Sequence, residues 1–347
     1  MRAVPNLKQV AQRAGVSTAT VSNVLAGIAR VSERTRQRVL AAVRELDYQP
    51  DLIAQSLRTR STRTLGMLIP DITNPFFPQL LRGAEDAAWE DKFVVLTFNT
   101  DEQIERERAA IALMRARRID GLLVIAGPHP ESKVEIIKAA KSGVPTVALD
   151  RKLDNAPVDN VVVDNRAAAR KGVEEMLRQG CRRIAFIGGP ESLANARARR
   201  MGYEDALKKA GLTPDPALSL AGDYHRDSGY RQGYALLRMS NPPDGIFAAN
   251  GTMAIGVLEA LTELWSARAG EMVVGHFDDM LLTPPAPWTL VTVSQPVYEI
   301  GYQGARLLLD RLHGRAEAAH IEIRLHATVR VRLPKYDQVF DRDVAAR

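Results

Sequence analysis

The 347-residue sequence has a single cysteine, no long apolar run and only six scattered histidines. Each absence closes a class of function. Cys181 alone rules out an intrachain disulfide framework, and with no activating partner beside it in sequence it reads as a strand-edge residue rather than a nucleophile. No stretch approaches the roughly 18 apolar residues of a membrane span, and the N-terminus carries no signal-like apolar region, so the expected location is cytoplasmic. His129, His225, His276, His313, His320 and His326 show no metal-ligand spacing. There is no Gly-x-x-x-x-Gly-Lys-Ser/Thr loop, no Gly-x-Gly-x-x-Gly opening a helix, no Gly-x-Ser-x-Gly elbow and no His-Glu-x-x-His. Asp278 and Asp279 point to opposite sides of an extended chain, which suits ligand bonding better than shared acid–base work. The expectation is a protein that is no enzyme, with no cofactor and no metal.

What is present begins at the N-terminus. Residues 7–25 read as two short helices joined by a tight turn, the unit that enters a DNA major groove. Val10, Ala11 and Ala14 form one apolar stripe, and Val21, Val24 and Leu25 a second. Gly15 supplies the positive φ of the turn and Ser17 an N-cap. Thr18, Ala19, Thr20, Ser22 and Asn23 leave the outer face of the second helix short and polar, able to touch base edges or phosphates. Charge agrees: residues 1–62 hold ten Lys/Arg against four carboxylates, which is the whole of the net +6, while the remainder balances. A basic headpiece on a neutral body is the electrostatic footprint of a DNA-binding module.

Ser32-Glu33 opens a third helix whose Val39, Leu40, Val43 and Leu46 cover the first two, and Tyr48-Gln49-Pro50 ends it. Residues 51–58 offer about two turns of helix-capable sequence, too short to be stable alone. A polar, basic linker follows. Beyond about residue 62, apolar runs at 65–70, 93–98, 121–126, 145–149, 160–163, 183–188, 245–249, 272–275 and 290–293 read as strands alternating with helices. Such alternation predicts parallel sheets covered on both faces, in two units. Ligands of open α/β sheets bind at the carboxyl ends of strands, so two facing units enclose a small-molecule cleft.

These features resemble the LacI/GalR family of bacterial transcriptional regulators. The resemblance rests on Val10-Ala11, Ala14-Gly15-Val16-Ser17, Thr20-Val21-Ser22, Val31-Ser32 with Thr35-Arg36 and Val39, Leu46-Asp47-Tyr48-Gln49-Pro50, and Ala54 with Ser56-Leu57. In the core it rests on Asp71-Ile72-Thr73-Asn74-Pro75-Phe76-Phe77, Asp120-Gly121-Leu122, Val163-Asp164-Asn165, Gly188-Gly189-Pro190, Ala249-Asn250 and Phe277-Asp278-Asp279. It implies a helix-turn-helix headpiece (1–49), a hinge helix and linker (50–62), an effector-binding and dimerisation core (63–334) and a polar tail (335–347). The core would comprise two doubly wound parallel-sheet subdomains like those of periplasmic sugar-binding proteins, with crossovers near 162, 292 and 322.

The resemblance also implies roles. DNA contacts would come from Thr18, Ala19, Thr20, Ser22, Asn23, Ser32, Arg36, Ala54, Leu57 and Arg58, with Leu57 as a minor-groove wedge that kinks the operator. The effector would meet Phe76 and Phe77 as an aromatic wall, Asp150 and Asp278 at strand ends, and Arg151, Asn195, Arg197, Tyr224 and Asn250. Arg199 would be the anchor. Regular helix would let only one of Arg197 and Arg199 face inward. Gly251, Leu193 and His276 depart from the family pattern, and Arg151 stands where a purine-binding relative has an aromatic residue, which favours a sugar. Paired with Arg199, Arg151 would suit an acidic sugar or sugar phosphate. The expected protein is a homodimeric repressor of a pseudo-palindromic operator, associated with the nucleoid when bound, acting without a membrane and responding to its effector by induction. The alternatives are a global catabolite-type regulator using a protein corepressor, or a sugar-binding transport-type protein. The tail lacks the leucine heptads of tetrameric relatives.

Overall fold

The computed structural model describes residues 5–25, 31–48, 61–116, 119–265, 271–279, 287–316 and 319–334. The chain divides into one compact unit ending at Thr62 and a second beginning at Arg63. The expected hinge helix, with Ala54, Leu57 and Arg58, and the tail from 335 lie outside the described residues.

Among its described residues the first unit has three helices: α1 (Leu7–Ala14), α2 (Thr18–Leu25) and α3 (Glu33–Glu45). Asn6 and Gln9 form a reciprocal capping box on α1, and Gly15 ends it at φ +63°. Ser17 Oγ accepts from Thr20 N at 3.1 Å, the N-cap bond of α2. Val10, Ala11, Ala14, Val21, Val24, Val39, Ala42 and Tyr48 close a core of their own. Leu40 corrects one expectation, being 38% exposed. Val39, Ala42, Val43 and Leu46 recur at three- and four-residue steps, and Leu40 falls about 100° off that stripe.

The second unit carries two six-stranded sheets. The first contains β1 (Thr64–Ile69), β2 (Val94–Asn99), β3 (Gly121–Val124), β4 (Thr146–Leu149), β5 (Asp159–Val163) and β11 (Glu322–Leu325), in the order β11-β5-β4-β3-β1-β2 and all parallel. The second contains β6 (Ile184–Ile187), β7 (Ser219–Leu220), β8 (Gly245–Ala248), β9 (Val273–Phe277), β10 (Thr289–Ser294) and β12 (Thr328–Arg332), in the order β12-β10-β9-β8-β6-β7. All its pairings are parallel except β10 with β12, which is antiparallel. The central strands are near-continuous apolar runs buried on both faces, as parallel sheets require. β7, β11 and β12 were not foreseen, since each is half-exposed and carries no such run.

Among the described residues eight helices flank the sheets: α4 (Phe76–Glu90), α5 (Ile104–Ala116), α6 (Pro130–Lys141), α7 (Asn165–Arg178), α8 (Ala194–Lys209), α9 (Arg226–Leu237), α10 (Gly251–Trp265) and α11 (Val297–Leu312). α11 returns the chain from the second sheet to pack on the first, against α4. Their backbones approach at Gly83 and Gly301, where a Cβ would collide with the carbonyls of Tyr298 and Leu80. Consecutive strands reverse direction of progress between β1 and β3 in one sheet and between β6 and β8 in the other. These are the switch points where open α/β sheets bind ligands.

Candidate functional site

The carboxyl ends of both sheets meet around one cavity lined from both sides. From the first sheet come Pro70, Asp71, Asn74, Phe76 and Phe77 after β1, Glu102 after β2, and Asp150 and Arg151 after β4. From the second come Asn195 and Arg199 on α8, Tyr224 after β7, Asn250 after β8, Asp278 after β9 and Gln295 after β10. Phe76 and Phe77 pack edge to face, with centroids 5.2 Å apart. The apolar wall thus faces a polar one.

The backbone is strained where it presents that polar wall. Glu102, Asp150, Tyr224 and Asp278 all have positive φ, at +56°, +59°, +70° and +71°. Such conformations persist in non-glycine residues only when the surroundings hold them, and they gather at functional sites.

Arg199 is buried and held three ways. Its Nε donates to Asn165 Oδ1 at 2.7 Å, its Nη1 to the Ala249 carbonyl at 2.6 Å, and its guanidinium lies 3.9 Å over the Phe277 ring. Nη2 has no partner among the described residues. Arg197 corrects the paired expectation: two positions away on a regular helix it sits about 200° around the axis. It is exposed and donates to the Glu191 and Ser192 carbonyls instead.

Arg151 is also buried, but its charge is already matched. Nη2 donates to Glu102 Oε1 at 2.6 Å and Nη1 to the Ala126 carbonyl at 2.8 Å. Asn250 divides its work: Oδ1 accepts from Met253 N, capping α10, while Nδ2 donates to the Tyr224 carbonyl. Gln295 Nε2 donates to Asp278 Oδ1 at 2.6 Å. Burial raises the carboxyl pKa of Asp150 and of Asp278, with Arg199 opposing in each case. Burial likewise pushes the Tyr224 phenol up to about 12.

Several buried polar atoms in this wall have no hydrogen-bond partner: Asp150 Oδ1, Arg151 Nε, Asn195 Oδ1, Tyr224 Oη and Gln295 Oε1. Orphaned buried groups are rare, and five of them share this one cavity wall. The amide orientations are fixed, because only the NH2 groups of Asn195 and Gln295 can donate to the carboxylates of Asp150 and Asp278. Three of the orphans are therefore acceptors, one is a donor and one is a hydroxyl.

Pro70, Asp71, Asn74, Glu102, Asp223, His225 and Gln295 line the cavity but were not anticipated as effector contacts. Asp71 and Asn74 belong to the motif that carries Phe76 and Phe77, whereas Glu102 and Gln295 reach the cavity only through strand ends converging, a placement without local signal. Leu193 is buried and His276 lies within β9, its Nε2 bonded to Thr292 Oγ1 at 3.0 Å; neither lines the cavity.

In the headpiece, Thr18 and Ala19 are exposed and Ser22 and Asn23 half-buried, on the side of α2 opposite Val21 and Val24. Thr20 turns toward Ser17, its Oγ1 2.9 Å from Ser17 Oγ. Ser32 is exposed and caps α3, while Arg36 is half-buried and 4.0 Å from Glu33. Arg38, counted only as charge in the sequence, clamps the turn by donating to the carbonyls of Ala14 and Gly15.

Comparison with known proteins matches both units. Residues 6–51 match the model of bacterial regulatory proteins of the lacI family, and residues 62–331 that of periplasmic binding proteins and the sugar binding domain of the LacI family. The chain is 34% identical over 307 residues to a ribose operon repressor of Halalkalibacterium halodurans, covering 88% of this chain and 90% of the relative. It is 32% identical over 309 residues to the transcriptional repressor CytR of Escherichia coli, covering 89% and 90%. Among solved structures, a lac repressor dimer bound to operator and an anti-inducer superposes with a TM-score of 0.82 at 26% identity, over 94% of this chain and 98% of that one. These relatives are transcriptional regulators, not enzymes. Among the described residues no helix is long and apolar enough to cross a membrane. A DNA-binding headpiece followed by a two-sheet effector core, each matched along its length, places this chain in the LacI family of transcriptional repressors.

Proposed function

We propose that this protein binds a pseudo-palindromic operator as a homodimer and releases it when a neutral, unphosphorylated sugar of pentose size occupies the cavity between the sheets. The orphaned polar atoms carry this reading. Three acceptors, one donor and one hydroxyl call for a ligand whose groups both give and take hydrogen bonds, as sugar hydroxyls do. A phosphate or carboxylate group adds mainly acceptor oxygens at neutral pH. That group does nothing for the orphaned acceptors, and the cavity already holds Asp71, Glu102, Asp150, Asp223 and Asp278 against Arg151 and Arg199. The acidic-sugar variant drawn from Arg151 and Arg199 is thus disfavoured, and the similarity to a ribose operon repressor supports the pentose. Phe76 and Phe77 suit the apolar faces of a sugar ring.

Dimerisation is supported by the similarity to a dimeric lac repressor on its operator, and by β2, an edge strand with Val94 55% and Leu96 40% exposed. Ligand between the sheets and DNA at the headpiece are coupled if they favour different arrangements of the subdomains. A thermal-shift panel of aldopentoses, aldohexoses, sugar phosphates, sugar acids and purines tests the ligand class: stabilisation by neutral sugars alone is the expected outcome. Stabilisation by purines or by sugar phosphates alone would overturn it.

A further inference from the structure

Arg151, among the described residues, pairs directly with a carboxylate of the cavity wall, whereas Arg199 meets Asp150 and Asp278 only at longer range. Arg151 Nη2 donates to Glu102 Oε1 at 2.6 Å, with the side chains 6% and 17% exposed, and Glu102 lines the cavity beside it. Glu102 is presented by two consecutive residues with positive φ, Asp101 at +48° and Glu102 at +56°, a conformation that non-glycine residues adopt at a cost. The turn is held by Asp101, which pairs with Arg106 and accepts from Asn99 Nδ2. A carboxylate fixed in this way, aimed at a guanidinium in the ligand wall, is an expensive way merely to neutralise charge. A second buried carboxylate, Glu107, lies close enough to act on Arg151 electrostatically, held by Ser132 Oγ at 2.6 Å. Glu102 is nonetheless the carboxylate that hydrogen-bonds Arg151 directly.

We propose that Glu102 is a specificity residue that excludes anionic ligands: it occupies the face of Arg151 that a phosphate or carboxylate would take and sets its own negative charge there. The inference rests on the neutral-sugar reading of the cavity but concerns discrimination, which can be measured apart from it. With Glu102 in place, an incoming phosphate must displace one carboxylate and approach others. Without that charge, Arg151 becomes a free anion receptor, since guanidinium pairs with carboxylate and phosphate by the same fork geometry.

The experiment uses the full-length protein, its Glu102→Gln variant and the Glu102→Gln/Arg151→Gln double variant, with D-ribose, D-ribose 5-phosphate and inorganic phosphate as probes. Dissociation constants come from calorimetry, and melting temperatures are compared in phosphate and in chloride at equal ionic strength. For the parent, ribose 5-phosphate should bind at least a hundredfold more weakly than ribose, and phosphate should raise the melting temperature over chloride no more than it does for the double variant, the margin a kosmotropic anion gives any protein. In Glu102→Gln the ratio should shift toward the phosphate ester by tenfold or more, and phosphate should now raise the melting temperature beyond that margin. Both gains should vanish in the double variant.

A parent that binds ribose 5-phosphate as tightly as ribose overturns the proposal. So does a folded Glu102→Gln variant with unchanged discrimination and no response to phosphate. If no sugar binds the parent, the sugar reading fails while phosphate stabilisation confined to Glu102→Gln still upholds the filter. If Glu102→Gln does not fold, Glu102→Asp, whose carboxylate is one methylene shorter and so draws back from Arg151, takes its place in the same comparison: a shift toward the phosphate ester upholds the proposal, and unchanged discrimination contradicts it.

Discussion

Asn195, on α8 beside the second sheet, donates from Nδ2 to Asp150 Oδ2, at the end of β4 in the first sheet, at 3.2 Å. This bond joins the two subdomains through the cavity wall. Each partner keeps one oxygen without a hydrogen bond, so the same two side chains that tie the sheets together can report a ligand. Asn195→Ala should lower effector affinity by about tenfold, the worth of one lost hydrogen bond to a charged group, and should reduce the change in operator affinity that the effector produces. Calorimetry and operator titration with the same variant check both.

Asp150 and Asp278 carry a pH signature. Burial raises both carboxyl pKa values above their ordinary values. A carboxylate raised on folding contributes stability that is present in full below its unfolded pKa and lost as pH rises through the folded value. Ligand-free protein should therefore gain from these two groups as pH falls from 7 toward 4. Buried His276, whose pKa burial depresses, acts in the other sense and loses its contribution as pH falls below its ordinary 6.5. Asp150→Asn should raise the ligand-free melting temperature at pH 7, flatten its acid-side rise and weaken sugar binding. An unaltered pH profile would refute the assignment.

Arg199 and Arg197 make a controlled pair. Arg199→Ala removes bonds to Asn165 and Ala249 and the contact with Phe277, so it should lower the melting temperature. It should also weaken effector binding by about tenfold to more than a hundredfold, the range for charge-assisted bonds. Exposed Arg197→Ala should change neither. Thermal melts and calorimetry on both variants separate the roles.

Much of the core was legible because parallel strands buried on both faces announce themselves as apolar runs. β7, β11 and β12 were not, because edge strands need only one buried face or none. Phe76, Asp150, Arg199 and Asn250 could be placed at the cavity by motif. Arg197 could not be separated from Arg199 by motif alone, and helical phase does so. Glu102 and Gln295 gave no local signal, since what makes them cavity residues is a turn with positive φ in one case and a distant strand end in the other. From the sequence Arg38 counts only as one charge of the basic headpiece, because its bonds to the carbonyls of Ala14 and Gly15 depend on where α3 packs.

In the headpiece, Arg38→Ala should leave those carbonyls unpaired and destabilise the first unit by about 1–3 kcal/mol, read as earlier loss of helical signal. Asn23→Ala should relax operator sequence preference with little change in the salt slope, because base contacts specify and phosphate contacts set that slope. Leu57→Ala should reduce operator bending, read by the gel mobility of circularly permuted fragments; bending equal to the parent's would remove Leu57 as the wedge.

Light scattering at micromolar concentration should give a dimer. Leu96→Asp on the exposed side of β2 should shift it toward monomer and weaken operator binding in parallel. A tetramer, or a Leu96→Asp dimer as tight as the parent, would contradict the assembly.

The central claim is that a neutral sugar in the cavity governs DNA binding. Fluorescence anisotropy of full-length protein on an operator obtained by in vitro selection, titrated with and without saturating D-ribose and related aldopentoses, tests it most directly. Couplings between sites in such systems are typically about 5- to 150-fold, and the account predicts a weakening of operator affinity within that range by at least one neutral aldopentose, abolished in Arg199→Ala. Operator affinity unmoved by every neutral pentose and hexose, in a protein that a phosphorylated sugar or a purine does release, would contradict it.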